Sequence, residues 1–218
     1  MSVLCSSCKR NVQPIVALDV DNTLGNWTGH FFDFLEKYRN VDQAEVMRWA
    51  QYRGDQELSE FLQMTKREYQ DAKVAFRAGG FKRWMPLMGY PSHLPLLRHA
   101  LNDCEVWITT TRPWQRLDNI DQDLREWLHR MRIPYNHILF DDHKYQVLAS
   151  TVDPGRVVFV LDDDPEMFDE AQDMGLPVFF RKTNWTRGIT RMPGVYTLAD
   201  AAKHIMSNIH EWRKSHGD

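Results

Sequence analysis

The chain has 218 residues, 43% hydrophobic and 26% charged, with 30 acidic against 27 basic side chains and a formal net charge of −3. That balance describes a globular protein and excludes disordered and collagenous classes; it also argues against avid nonspecific nucleic-acid binding, which favours a basic surface. No apolar run approaches the roughly 18 residues of a membrane span, and no secretory h-region opens the sequence, so no membrane association and a cytoplasmic location are expected.

The three cysteines are Cys5, Cys8 and Cys104, an odd number that suits a reducing compartment better than a disulfide framework. Cys5 and Cys8 form a lone C-x-x-C without a second pair, so residues 1–13 read as a tail with reduced thiols. Pro14-Ile15-Val16-Ala17-Leu18 is then a short apolar run that stops abruptly at Asp19-Val20-Asp21-Asn22-Thr23. A strand buried on both faces reads this way where it meets a polar loop.

From about Phe31 to Ala78 the pattern is helical throughout, with segments Phe31–Tyr38, Asp42–Tyr52, Gln56–Met64 and Lys66–Ala78, before Gly79-Gly80 and Pro86 punctuate the return. Pro95–Leu101 is the next helix, followed by a strand at Val106-Trp107-Ile108-Thr109. Leu117–Met131 carries apolar residues at helical spacing. His137–Phe140 is a weaker strand, Val157–Leu161 a strong one, and Pro177–Phe180 another. Pro165–Met174, closed by Gly175, and Leu198–Trp212 complete the helices.

Strands alternating with helices of this length imply an α/β, Rossmann-like core with a parallel sheet between helices. The all-helical insertion after the first strand reads as a cap. The expected division is a core of residues 14–28 and 86–218 and a cap of residues 29–85.

Ligands of a parallel sheet bind beyond the carboxyl ends of its strands. The polar residues there are Asp19, Asp21 and Thr23 after the first strand, Thr109-Thr110-Thr111-Arg112 after the second, and Asp162-Asp163-Asp164 after the strand at Val157. Lys144 opens a helix after the weak strand. Each has an ordinary reading as a cap, a turn or a solvated lysine. Their joint occurrence, each at a strand end, points to chemistry. Converging carboxylates call for a hard cation or a cationic side chain, Mg²⁺ fitting best, and a carboxylate nucleophile beside a carboxyl acid–base suits phosphoryl transfer.

At these residues the sequence resembles the haloacid dehalogenase-like (HAD) superfamily of phosphohydrolases. Leu18-Asp19-Val20-Asp21-Asn22-Thr23-Leu24 is similar to its first motif, Ile108-Thr109-Thr110 to its second, Lys144 to its third and Leu161-Asp162-Asp163 to its fourth. The resemblance implies Asp19 as nucleophile, Asp21 as acid then base, and Mg²⁺ held by Asp19, the Asp21 carbonyl and Asp162, with Asp163 nearby. It implies Thr110 and Lys144 as binders of the phosphoryl group, with Thr23 lining the same site. Thr111 could replace Thr110, and Asp163-Asp164 could replace Asp162-Asp163; both registers stay open. A dehalogenase does not need the acid at Asp21, so the resemblance favours phosphatase chemistry.

A narrower resemblance is to 5'(3')-deoxyribonucleotidases, through Gly80-Phe81-Lys82-Arg83-Trp84-Met85-Pro86, Asp162-Asp163-x-Pro165 and Asn184-Trp185-Thr186-Arg187. It implies a small phosphorylated substrate, a nucleotide; aromatics near the cap can stack a nucleobase, with Phe81 or Trp84 as the pocket candidates, and Arg112 after the second motif reads as a contact to a distal phosphate or as a structural ion pair. Arg112 and Asp164 depart from that group's pattern. Two rivals are a 3'-phosphatase acting on nucleic-acid ends, resembling the phosphatase half of polynucleotide kinase, and a noncatalytic binding module on the same fold.

Overall fold

The structure is a computed structural model that describes residues 3–4, 11–39, 42, 44, 58–111, 117–186, 189 and 192–216. Where the sequence reads as a tail, Val3–Leu4 (β1) pairs antiparallel with Asn11–Val12 (β2). Cys5 and Cys8 lie outside the described residues.

The apolar runs become the strands Ile15–Leu18 (β3), Glu105–Thr110 (β4), His137–Phe140 (β5), Val157–Asp162 (β6) and Val178–Arg181 (β7). A two-residue edge strand, Gly194–Val195 (β8), has no apolar run and no signal in the sequence. The six form a parallel sheet of order β5-β4-β3-β6-β7-β8. From β3 the chain builds outward through β4 and β5 on one side, then returns to build β6, β7 and β8 on the other. The carboxyl end of β3, flanked by β4 and β6, is therefore the point where the winding reverses, the place where open α/β sheets open a crevice.

Helices cover both faces. Leu94–Leu101, Ile120–Met131 and Leu198–Ser215 share an apolar cluster with Val16, Leu18, Val106 and Ile108. Lys144–Thr151 and Pro165–Asp173 close the opposite face, where Tyr145, Leu148 and Ala171 meet Ile15, Ala17 and Val160. Each large apolar side chain buried in this way contributes about 1.5–3 kcal/mol. In chain order these helices are α4 (Leu94–Leu101), α5 (Ile120–Met131), α6 (Lys144–Thr151), α7 (Pro165–Asp173) and α8 (Leu198–Ser215); α1 to α3 belong to the insertion.

In the insertion, α1 (Trp27–Arg39) starts four residues earlier than the periodicity predicts, α2 covers Leu58–Phe61 among the described residues, and α3 runs over Lys66–Ala78 as expected. The helix expected over Asp42–Tyr52 falls almost wholly outside the described residues. A capping box fixes the start of α3: the Thr65 hydroxyl accepts from the Glu68 amide while Glu68 accepts from the Thr65 amide.

Gly80 adopts φ +71°, a left-handed conformation that costs glycine little, and turns the chain into a single 3₁₀ turn at Phe81–Trp84. That turn is pinned to α5: Arg83 Nε donates to Asp123 Oδ1 at 2.5 Å, and Trp127 Nε1 donates to the Met85 carbonyl at 2.7 Å. Phe31, Phe34 and Phe76 join the same apolar cluster as the sheet, so insertion and core are packed continuously. Among the described residues, no helix is long and apolar enough to cross a membrane.

Candidate active site

The loop leaving β3 is tightly wound. The Leu24 and Gly25 amides both donate to the Val20 carbonyl, at 3.1 and 2.8 Å, and Asn22 sits at φ +62°, a region asparagine tolerates better than most residues. The Asn22 side chain accepts from the Thr28 amide at 2.9 Å, which ties the loop to the first turn of α1. This winding leaves Asp19 buried at the strand end, whereas Asp21 keeps a quarter of its side chain exposed. Buried Thr23 donates its hydroxyl to Asp163 Oδ1 at 2.9 Å.

Parallel register sets Leu18 beside both Ile108 and Leu161, so the residues following β3, β4 and β6 emerge together. Carboxylate oxygens of Asp19, Asp162 and Asp163 lie within 4.8 Å of one another. This is the compact all-oxygen donor set that suits Mg²⁺ rather than a soft metal, and these three residues would hold it. Lys144, wholly buried at the first position of α6, bridges the set: its Nζ lies 2.7 Å from Asp19 Oδ1 and 2.6 Å from Asp162 Oδ2. Next to it, the Tyr145 hydroxyl donates to Asp162 Oδ2 at 2.5 Å.

The electrostatics follow from this crowding. Burial pushes the Asp19 carboxyl up to about 7; Lys144 opposes the rise, and Asp162 and Asp21 add to it. Removal from water, then Asp19 and Asp162, also raises Asp163 well above the carboxylate range, against the Thr23 hydrogen bond. Burial works to lower Lys144, but Asp162 and Asp19 overcome it and hold the ammonium well above its ordinary value. A divalent cation would relieve the carboxylates of the repulsion that now favours their protonation.

The last of the three consecutive aspartates does something else. Asp164 accepts from the Glu166 amide at 2.8 Å and caps α7, with Pro165 at its first position, so the two residues turned to the site are Asp162 and Asp163. Strand alternation also separates the threonines. Thr110 shares the parity of Val106 and Ile108 and is buried on their face of β4, whereas Thr109 lies on Asp19's face, with its hydroxyl 3.5 Å from that of Tyr145. Thr111, of Thr109's parity, is exposed just past the strand.

Phe81 packs among Phe34 and Phe76, at ring separations of 5.0 and 5.6 Å. Trp84 is 65% exposed, with the Arg130 guanidinium 5.0 Å from its ring. Arg112 lies outside the described residues.

Three participants carry no local sequence signal. Lys82, from the 3₁₀ turn, is buried with its ammonium hydrogen-bonded to Asp21 Oδ1. Arg181 at the end of β7 is buried, and its guanidinium donates to the carbonyls of Thr23, Met88 and Tyr196, tying the β3 loop to the far side of the sheet. Glu170 on α7 accepts from the Tyr145 amide at 2.8 Å and so holds the N-terminus of α6. Only Lys82 lay within a stretch that the sequence singled out.

No family model matches the chain, and no curated protein matches it. Solved structures do. The L-2-haloacid dehalogenase PA0810 superposes with a TM-score of 0.54 at 16% identity, covering 89% of this chain and 100% of its own. YfnB from Bacillus subtilis, described as a HAD hydrolase and bound to magnesium, gives 0.56 at 13% identity, with coverages of 89% and 98%. A mutant of CbbY from Rhodobacter sphaeroides in complex with xylulose-(1,5)bisphosphate gives 0.51 at 15% identity, with coverages of 86% and 96%. The parallel six-stranded sheet, wound both ways from β3 between two helical layers, is the Rossmann-like fold of the HAD-superfamily hydrolases.

Proposed function

We propose that the protein is a Mg²⁺-dependent phosphomonoester hydrolase that works through an aspartyl-phosphate, with a nucleotide as substrate. The observation that carries this reading is the convergence of Asp19, Asp162 and Asp163 within 4.8 Å, bridged by Lys144, with Asp21 on the same loop. Neighbours of the same fold include a dehalogenase, so the reaction must be read from side chains and not from the fold. Asp21 is the discriminating side chain, because a carboxyl two residues from the nucleophile is what a poor alkoxide leaving group needs.

In this reading the Asp19 carboxylate attacks phosphorus. The bond to the ester oxygen breaks as that oxygen takes a proton from Asp21. Asp21, now ionised, accepts a proton from the water that attacks the aspartyl-phosphate; the acyl–phosphate P–O bond breaks, freeing inorganic phosphate and restoring Asp19. Lys144 holds Asp19 and stands ready for the charge on the phosphoryl oxygens; Thr111, exposed just past the strand and sharing the parity of Thr109 and Asp19, would take the phosphoryl-binding role in place of Thr110. Bound Mg²⁺ would supply the positive charge that keeps the carboxylates ionised and draws in the phosphate.

The nucleotide part rests on the deoxyribonucleotidase-like stretches. Two of the three fold against the β3 loop: Lys82 reaches Asp21, and Trp185 Nε1 donates to Asn26 Oδ1 at 2.9 Å. The test is phosphate release from 5'- and 3'-(deoxy)nucleotides and from a 3'-phosphorylated oligonucleotide, by wild type and Asp19→Asn, with Mg²⁺ and with chelator. Metal-dependent release from mononucleotides, reduced at least about a thousandfold in the variant, is the expected result. Preference for the oligonucleotide would transfer the assignment to end-processing. A wild type inert toward all of them would indicate the binding module.

A further inference from the structure

We propose that Tyr145 is a positioning residue that fixes the Asp162 carboxylate for metal binding, an inference that rests on the Mg²⁺-dependent reading above. Tyr145 is wholly buried in the first turn of α6, its ring among Ala17, Leu148 and Val160. A phenol so placed must find a partner for its hydroxyl, and it donates to Asp162 Oδ2 at 2.5 Å.

Each carboxylate oxygen offers about two acceptor directions. On Asp162, Oδ2 fills both of them, with Lys144 Nζ at 2.6 Å and the Tyr145 hydroxyl at 2.5 Å. Oδ1 accepts from the Asp164 amide at 2.9 Å, which leaves it one direction for a cation. Lys144 could not fix that orientation alone, since it is shared with Asp19 Oδ1 at 2.7 Å and pulls on two carboxylates at once. Tyr145 adds the second constraint from a different angle and from a rigid ring.

The ring is itself anchored to the strand it serves. Asp162 ends β6, α7 follows within three residues, and Glu170 of α7 accepts from the Tyr145 amide at 2.8 Å. A closed circuit therefore runs from Asp162 through α7 to Glu170, across to Tyr145, and back to Asp162. Partners that orient a metal ligand in this manner typically govern affinity by about tenfold to a hundredfold.

The test is isothermal titration of the metal-free, full-length protein with Mg²⁺ alone, comparing wild type, Tyr145→Phe and Glu170→Ala, with thermal melts of each. Tyr145→Phe is expected to melt cooperatively, to bind Mg²⁺ about tenfold or more weakly, and to regain turnover as Mg²⁺ is raised. A folded Tyr145→Phe whose Kd stays within about twofold of wild type overturns the proposal, as does a lowered melting temperature without a change in Kd. Should Tyr145→Phe not fold, Glu170→Ala decides, with a severalfold weaker Kd expected and an unchanged one overturning it. Wild type that binds no Mg²⁺ would overturn the metal-dependent reading and this inference together; wild type that binds while the variants match it overturns only the role of Tyr145.

Discussion

The ammonium of Lys82 donates to Oδ1 of Asp21, so a residue of the turn that closes the helical insertion touches the second acid of the β3 loop. The two are 61 residues apart in sequence, and the turn that carries Lys82 is locked to α5 by Arg83 and Asp123. Asp21 is thus oriented by an element outside the sheet. Lys82→Met is expected to lower kcat by about ten- to a hundredfold, less than the roughly 10²–10⁴ that a positioned acid–base can contribute. Mg²⁺ affinity should change little, because Lys82 holds the Asp21 side chain, whereas the family resemblance implies only the Asp21 backbone carbonyl as a metal ligand. Steady-state kinetics beside a Mg²⁺ titration checks both halves.

Lys144 is a buried cation between two buried carboxylates. Lys144→Met leaves them facing each other uncompensated, which typically costs about 3–5 kcal/mol in the metal-free protein at neutral pH. The loss should shrink as pH falls and Asp19 takes a proton, and Mg²⁺ should restore part of it by binding only the folded state. Urea unfolding with and without Mg²⁺ measures each effect.

Asp19 gives the metal-free protein a pH dependence of definite sign. Its folded value near 7 lies above the ordinary 3.8, so the folded state binds more protons between those values. Its contribution to stability is complete at low pH and declines as pH rises through that window. Asp163, raised in the same direction, adds to the trend. Because Mg²⁺ needs these carboxylates ionised, one fixed Mg²⁺ concentration should raise the melting temperature more at about pH 8 than at about pH 6. Paired thermal melts at the two pH values test it.

Among its backbone acceptors Arg181 joins the three carbonyls of Thr23, Met88 and Tyr196 with one planar fork, and burial lowers its pKa to about 10. Arg181→Lys keeps the charge but cannot reach all three. The expected destabilisation is about 1–3 kcal/mol per carbonyl left buried without a donor, read by urea unfolding, with weaker turnover because Thr23 and the β3 loop lose their tether.

Strands buried on both faces must be apolar along their length, and a polar residue can follow only where the strand meets the crevice. That is why the run at Val157–Leu161 and the acids after it could be recognised without coordinates. Helix ends were as legible where Pro165 and Gly175 mark them within a few residues, whereas the Thr65–Glu68 capping box emerged only in the structure. β8 escaped because two residues form no pattern, and the Asp162-Asp163-Asp164 register stayed open because three identical side chains differ only in direction.

By itself, then, the sequence determined the alternation of strand and helix, the helical character of the described parts of the insertion and the set of strand-end acids, all consequences of local periodicity and burial. Only the tertiary structure decided the strand order, the turning of Asp164 to a helix cap and the opposed parities of Thr109 and Thr110. It gave the contact across 125 residues between Lys144 and Asp19, which the family resemblance had put in one site, and it alone joined Arg181 to Thr23 across 158 and Lys82 to Asp21. Such pairings are set by sheet register and by helices packing across it, and residues so far apart in sequence leave no mark of their pairing in any local window.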